Sequence, residues 1–297
     1  MSQAIETSVA EFVSTSLRSV FTKEVEKFPL QGPDGLKTEF YGLFLGDECV
    51  GQPVKRNYVQ HTIPDIELLT AAAIPAFPSD IADIKLSAYW TGSAHVVSLA
   101  PSKEYRRSVF GNDTIWPRMV IHAGYDGTSF KGSLGFYRDA CRNMAIVKSA
   151  GRSCHAAIRH SSHLRDKLDD LRQTFAKLAG AWDDVVATTQ RMENKTVDLA
   201  DFLSRVYPQQ DDATKRQIET NRQRISKIIR RIQSERVALR GSIGSLETAT
   251  AWEAWNGVQG YVQHDSRRHG SPSGFARAIM AIDDSAVARA MELALAV

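Results

Sequence analysis

Cysteine is scarce in this chain: three residues in 297, at positions 49, 141 and 154, an odd number without a CxxC pair. A disulfide framework is therefore not expected, and a reducing, cytoplasmic compartment is. Long apolar runs are missing as well. The most apolar stretches, around Ala71–Ala76 and Ala288–Val297, fall short of the ~18 residues that would suggest a membrane span, so no membrane association is expected. The opening "MSQAIETSVAEFVSTSLRSVFTKEVEKF" has neither a basic start nor a signal-type apolar block. Nucleophile elbow, P-loop, GxGxxG after a strand and HExxH are all absent, which removes the common motif-bearing enzyme classes. There is no internal repeat and no low-complexity tract.

What remains is a composition of 43% hydrophobic and 24% charged residues, enough to bury a large core in one large or two smaller units. The net charge of +3 is unevenly spread. Residues 1–150 hold 15 Lys/Arg against 16 Asp/Glu, which leaves 22 against 18 for residues 151–297.

Hydropathy patterning predicts an α+β fold: an antiparallel sheet with flanking helices over 30–150, then a mostly helical region over 151–297. Apolar residues from Ile5 through Val9, Phe12, Val13, Val20, Phe21 and Val25 to Phe28 recur at helical spacing, predicting an amphipathic helix over 1–29 that stops at Pro29. Three hairpins follow. "TEFYGLFL" and "CVGQPVKRNYVQH" flank Gly46-Asp47-Glu48, "IKLSAYW" and "AHVVSLA" flank Thr91-Gly92-Ser93, and "PRMVIHAGY" and "FKGSLGFYRDA" flank Asp126-Gly127. Thr62-Ile63-Pro64-Asp65 opens a short helix with its own cap. From Cys154 the stripe Leu164, Leu168, Leu171, Phe175, Leu178, Trp182, Val186 predicts one long helix. A second, "ATKRQIETNRQRISKIIRRIQSERVALR", should be capped by Asp211 or Asp212 and present a seam of Ile218, Ile225, Ile229 and Ile232.

Chemistry concentrates in "FYRDACRNMAIVKSAGRSCHAAIRHSSHLRDK", residues 136–167, with two cysteines, three histidines and seven Lys/Arg. A zinc site would draw on Cys141, Cys154, His155, His160 and His163, yet the close ligand pairs typical of such sites are not there. A Cys/His nucleophile lacks a supporting motif. Neither metal nor cofactor is expected, and the paired acids Asp169-Asp170 and Asp183-Asp184 should face solvent. An anion-binding junction has more behind it, with Arg138, Arg142, Lys148, Arg152, Arg159, His160, Arg165 and Lys167 gathered where a sheet hands over to a helix. Between Thr214 and Arg240 nine Lys/Arg face two Glu, which is a nucleic-acid footprint or a solvated helix surface. Trp252, Trp255 and Tyr261 are stacking groups or, more simply, a core-facing helix.

Several stretches, in order, resemble a phage/plasmid-like family of unknown function found in bacteriophages and mobile elements: "FYGLFLGDECVGQPVKRNYVQHTIPDIELL", "YDGTSFKGSLGFYRDACRNMAIV", "IRHSS" and "TATAWEAWNGVQGYVQHDSRRHG". Their most specific parts are the Asp126-Gly127 turn, Arg138-x-x-Cys141-x-Asn143, Arg159-His160 and Trp252…Asn256…Tyr261…His264. Met144 departs from the small residue usual in the family. The resemblance implies a phage or plasmid origin and a cytoplasmic setting, and it supplies no reaction. By element order alone the chain also resembles phage single-strand annealing proteins of the Rad-fifty-two type, which implies a homo-oligomer on single-stranded DNA. The expected function is non-enzymatic single-strand binding and annealing in recombination or replication. The alternatives are a phage structural or interaction protein assembling through its long helices, and a metal-dependent nuclease.

Overall fold

A computed structural model describes residues 2–125, 130–140, 144–146, 155–158, 160, 164, 167, 170, 173, 180–266 and 284–296. The fold is α+β with antiparallel sheets. Two compact units are each assembled from three segments: residues 1–105, 117–135 and 151–181 form the first, and 106–116, 136–150 and 182–297 the second. The segments of the two units therefore alternate along the sequence.

In the first unit, α1 (Ser2–Arg18) buries Val9, Val13 and Leu17 and is tied to α2 (Ile63–Ala73) by Arg18, whose Nε lies 2.7 Å from Glu67 Oε1. Thr62 caps α2 as its sequence predicts: its hydroxyl accepts from the Asp65 amide, and the Asp65 carboxylate accepts from the Thr62 amide at 2.8 Å. The helix expected through Phe28 ends ten residues early. Glu26–Gln31 is instead strand β1, antiparallel to β2 (Lys37–Leu45), with Phe28 opposite Gly42 and Pro29 opposite Tyr41. An edge strand loses no ladder bond at a proline, so Pro29 sits inside this element rather than ending another. Phe21 and Val25 are buried from non-helical backbone, and their spacing mimicked a helix. Gly46, at φ 64°, turns β2 into β3 (Glu48–Cys49), and β4 (Val54–Lys55) also pairs with β2.

The second sheet contains β5 (Lys85–Trp90), β6 (Ala94–Ala100), β7 (Arg107–Phe110), β8 (Asp113–Gly124), β9 (Phe130–Arg138), β10 (Met144–Ile146) and β11 (His155–Ile158). Its order is β10-β9-β8-β6-β5, with β11 on β9 and β7 on β8. Every residue of β6 is buried, as in a strand covered on both faces, and Gly92 at φ 89° makes the β5–β6 turn. Strands β8 and β9 each carry the chain from one unit into the other. The long helix expected from Cys154 is corrected here too. His155 starts a strand in register with Ser133, Leu164, Lys167, Asp170 and Gln173 are helical, and Gly180 is in a turn before α3 (Ala181–Glu193) begins. Cys141 and Cys154 lie outside the described residues.

The second unit adds β12 (Thr196–Asp198) paired with β13 (Thr248–Thr250), α4 (Leu199–Val206), α5 (Lys215–Arg240), α6 (Ala251–Gly260), a π-helical turn over Tyr261–Asp265, and α7 (Ser285–Ala296). Thr214, not Asp211 or Asp212, caps α5, exchanging hydrogen bonds with Gln217. Gly241, left-handed at φ 73°, closes it. The buried seam of α5 is also displaced: Ile218 is 40% exposed, while Ile228, Ile232 and Arg236 are buried. They pack on α6, where a Cβ at Gly257 would stand 2.6 Å from Ile232 Cγ1. Trp252 and Trp255 are fully buried on α6 with ring centroids 5.5 Å apart and Phe136 beside them, so they are core groups. Asp183 and Asp184 face solvent, as expected of a helix's first turn.

Candidate functional site

Of the eight junction residues nominated from sequence, the structure describes Arg138, His160 and Lys167. Arg142, Lys148, Arg152, Arg159 and Arg165 lie outside the described residues. Arg138 corrects the expectation. Only 1% exposed in the second unit, its guanidinium donates from Nε and Nη2 to the Asp113 carboxylate at 2.8 Å each, and from Nη1 to Glu235 at 2.5 Å. Asp113 also accepts the Trp252 indole N–H at 2.8 Å. A guanidinium desolvated and held by two carboxylates is not free to take a phosphate, so Arg138 organises a core. Lys167, in the first unit, is exposed on a helical residue.

His160, also in the first unit, is half-buried, with Nδ1 3.2 Å from the Val59 carbonyl and its ring stacked on Tyr58 at 5.0 Å. It belongs to an aromatic cluster that sequence spacing could not reveal. His61, just before α2, stacks on Tyr125 at 4.2 Å, and its Nε2 lies 3.4 Å from His95 Nδ1 on β6. The His95 Nδ1 is also 3.2 Å from the Tyr125 hydroxyl. Burial pushes His95 down to about 4, and burial followed by the neighbouring His160, His95 and His122 holds His61 well below the usual imidazole range. Burial raises the Tyr125 phenol. Within the cluster His61, His95 and Tyr125 thus form a buried neutral group, and among the described residues no group of His, Cys, Asp or Glu could hold a metal ion.

The second charged region, α5, is sorted by packing into two sets. Arg231, Arg236 and Arg240 are committed. Arg231 lies 3.0 Å from Asp265, Arg236 reaches Glu253 at 2.7 Å and the Thr248 carbonyl at 2.7 Å, and Arg240 pairs with both Glu193 and Glu253 while its guanidinium lies 3.9 Å from the Phe110 ring centre. Burial alone would raise Glu253, but the Arg236 hydrogen bond, the Thr250 amide and Arg240 outweigh it and leave its carboxyl below the usual range. One carboxylate thereby caps α6 and neutralises two arginines. Lys215, Arg216, Lys227 and Arg230 are exposed on the other side and make no ion pair among the described residues, and Arg222 has only a loose 3.9 Å contact with Glu219.

Two cavities lie along α5. One of about 860 Å³ is lined by Arg216, Thr220 and Arg224, and one of about 800 Å³ by Lys227, Arg231 and Ser234. These positions recur every three or four residues, so one face of the helix serves both. Opposite, the π-helical turn supplies Tyr261 and Val262 to the first and His264 and Asp265 to the second. From Arg216 to Arg230 the face runs about 21 Å at 1.5 Å per residue.

A family model described as a domain of unknown function, DUF932, matches residues 97–293, two thirds of the chain. The chain belongs to the DUF932 family. No curated protein and no solved structure matches it, and the likeness in element order to annealing proteins gains no support there. The DUF932 span contains α3 to α6, both cavities and most of α7, whereas His61 and His95 precede it. Chemically, this region of the DUF932 chain offers a cationic helix face walled by tyrosine, histidine and amide groups. The Lys/Arg density of α5 was readable from sequence, but which side of the helix keeps its charge was not.

Proposed function

We propose that this DUF932 protein binds single-stranded nucleic acid, DNA foremost, along the exposed face of α5, and as a homo-oligomer promotes strand annealing without catalysing a reaction. The observation that carries the reading is the division of charge on α5. Its inner arginines are neutralised by Glu193, Glu235, Glu253 and Asp265, while Lys215, Arg216, Lys227 and Arg230, along one exposed side, have no ion-pair partner among the described residues. Unpaired cations in a row attract a polyanion and release its counterions, and no base contact is needed for that. Helix-mediated assembly is the second reading, favoured by Val237, Ile243 and Leu246, which are apolar and exposed where α5 ends.

The test is fluorescence anisotropy of a labelled oligonucleotide over a salt series. Four phosphate contacts give a log–log slope near −3, and replacing Lys227 and Arg230 by Gln should flatten it by about 1.4. Absence of binding at ~50 mM salt, together with a multimer seen by light scattering, would replace this reading with assembly through the helices.

A further inference from the structure

The larger of the two α5 cavities has features that backbone-tracking by a basic helix does not require. Its walls come from α5, from the segment after α4 and from the start of α7, all within the second unit. Three guanidinium groups line it, those of Arg216, Arg224 and Arg289, and among the described residues the one carboxylate that lines it is that of Asp284. The Asp284 carboxylate is engaged at the α7 start, accepting the Ala286 amide at 2.9 Å. Arg224 lies 4.7 Å over the Tyr207 ring, and its charge has no carboxylate partner among the described residues. Arg289 is anchored through Nη1 to the Val206 carbonyl at 2.9 Å.

A flat apolar component accompanies the charge. Tyr207 and Tyr261 both line the space, and Tyr261 opens the π-helical turn, a departure from α geometry that is common at functional sites. The Tyr207 phenol, raised by burial, stays neutral. At about 860 Å³ the cavity falls in the usual range of small-ligand sites, roughly 300–1,000 Å³. Inorganic phosphate would use the guanidiniums and leave the rings idle, and an apolar ligand would leave the guanidiniums unpaired. A ligand that joins an anionic group to a planar ring uses both.

We infer that this cavity is a binding site for a nucleoside 5′-phosphate, either free or as one unit of a bound strand, with the phosphate on Arg216 and Arg224 and the base against the tyrosine rings. Calorimetric titration of the full chain with deoxyadenosine monophosphate, deoxyadenosine and inorganic phosphate separately reads the two halves of the site. The monophosphate should bind at least about tenfold more tightly than either fragment, as expected when charge-assisted bonds and stacking act together. Arg216 is exposed and has no ion-pair partner among the described residues, so R216Q should fold normally and lose roughly tenfold in affinity for the monophosphate, and R224Q should do the same. Competition with a labelled oligonucleotide distinguishes the sources: displacement means a strand unit occupies the site, and simultaneous binding means a free nucleotide does. Failure of the monophosphate to bind, or equal binding by wild type and a folded R216Q, overturns the inference. Oligonucleotide binding without monophosphate binding would overturn it while leaving the strand reading intact, and the reverse pattern would do the opposite.

Discussion

Replacing Asp113 by Asn should destabilise the second unit more than any surface substitution on this chain. Asp113 is fully buried and receives three donors: Nε and Nη2 of Arg138 and the indole N–H of Trp252, each at 2.8 Å. Asn keeps the shape and can still accept from Trp252, but it leaves the Arg138 guanidinium facing a neutral amide in a dry core. Removing one partner of a buried pair costs about 3–5 kcal/mol, because the surviving charge is uncompensated. Glu235 still holds Arg138 Nη1, which places the cost at the lower end, near 3 kcal/mol. With a urea m-value of about 2 kcal/mol/M, the midpoint should fall by roughly 1.5 M. The same reasoning predicts that Arg138→Met added to Asp113→Asn recovers part of the loss, since it removes the stranded charge. Urea unfolding followed by tryptophan fluorescence reads both, as Trp252 and Trp255 sit in this core. A single mutant within about 1 kcal/mol of wild type, or a double mutant less stable than the single, would refute the assignment of Arg138 as a structural cation.

Acidification should weaken the first unit. His95 is held down to about 4 by burial against 6.5 unfolded, so the unfolded chain binds the extra proton between those values. Stability is therefore complete above about pH 6.5 and declines as pH falls towards 4, by about 3 kcal/mol for His95, with His61 adding in the same direction. His95→Gln should make the stability–pH profile from denaturant melts shallower, and an unchanged profile would be inconsistent with a buried neutral imidazole. On the α5–α6 contact, Gly257→Ala should destabilise by roughly 1 kcal/mol, since overpacking costs about 1–3 kcal/mol and helix propensity returns up to ~1. The added Cβ meets Ile232 Cγ1 at 2.6 Å and Cδ1 at 2.8 Å, so Ile232→Val should relieve part of the strain, and a Gly257→Ala protein more stable than wild type would contradict the packing.

Local signals in the chain survived folding where their partners are near in sequence. Thr62 with Asp65 capped α2, and Gly46 and Gly92 turned their hairpins. Signals that depend on remote partners misled. Helical spacing at Val20–Phe28 came from a loop and an edge strand, because β2 offered hydrogen bonds that the periodicity does not encode. The stripe through Leu164–Val186 was interrupted at Gly180, and His155–Ile158 was drawn into a strand by β9.

Charge illustrates the same division for the site. From its residues alone the chain declared an α+β fold, a basic C-terminal half and a cationic helix over 214–240, since composition, caps and alternation are properties of neighbouring residues. Whether a given cation is available depends on carboxylates brought in from distant segments. Asp113 and Glu235 absorb Arg138, and Glu253 and Glu193 absorb Arg236 and Arg240, while Arg216, Lys227 and Arg230 receive none among the described residues. Tertiary structure made that choice, because desolvating a cation without a partner costs more than burying a pair, so packing consumed the charges on the inner face and left the outer ones to solvent.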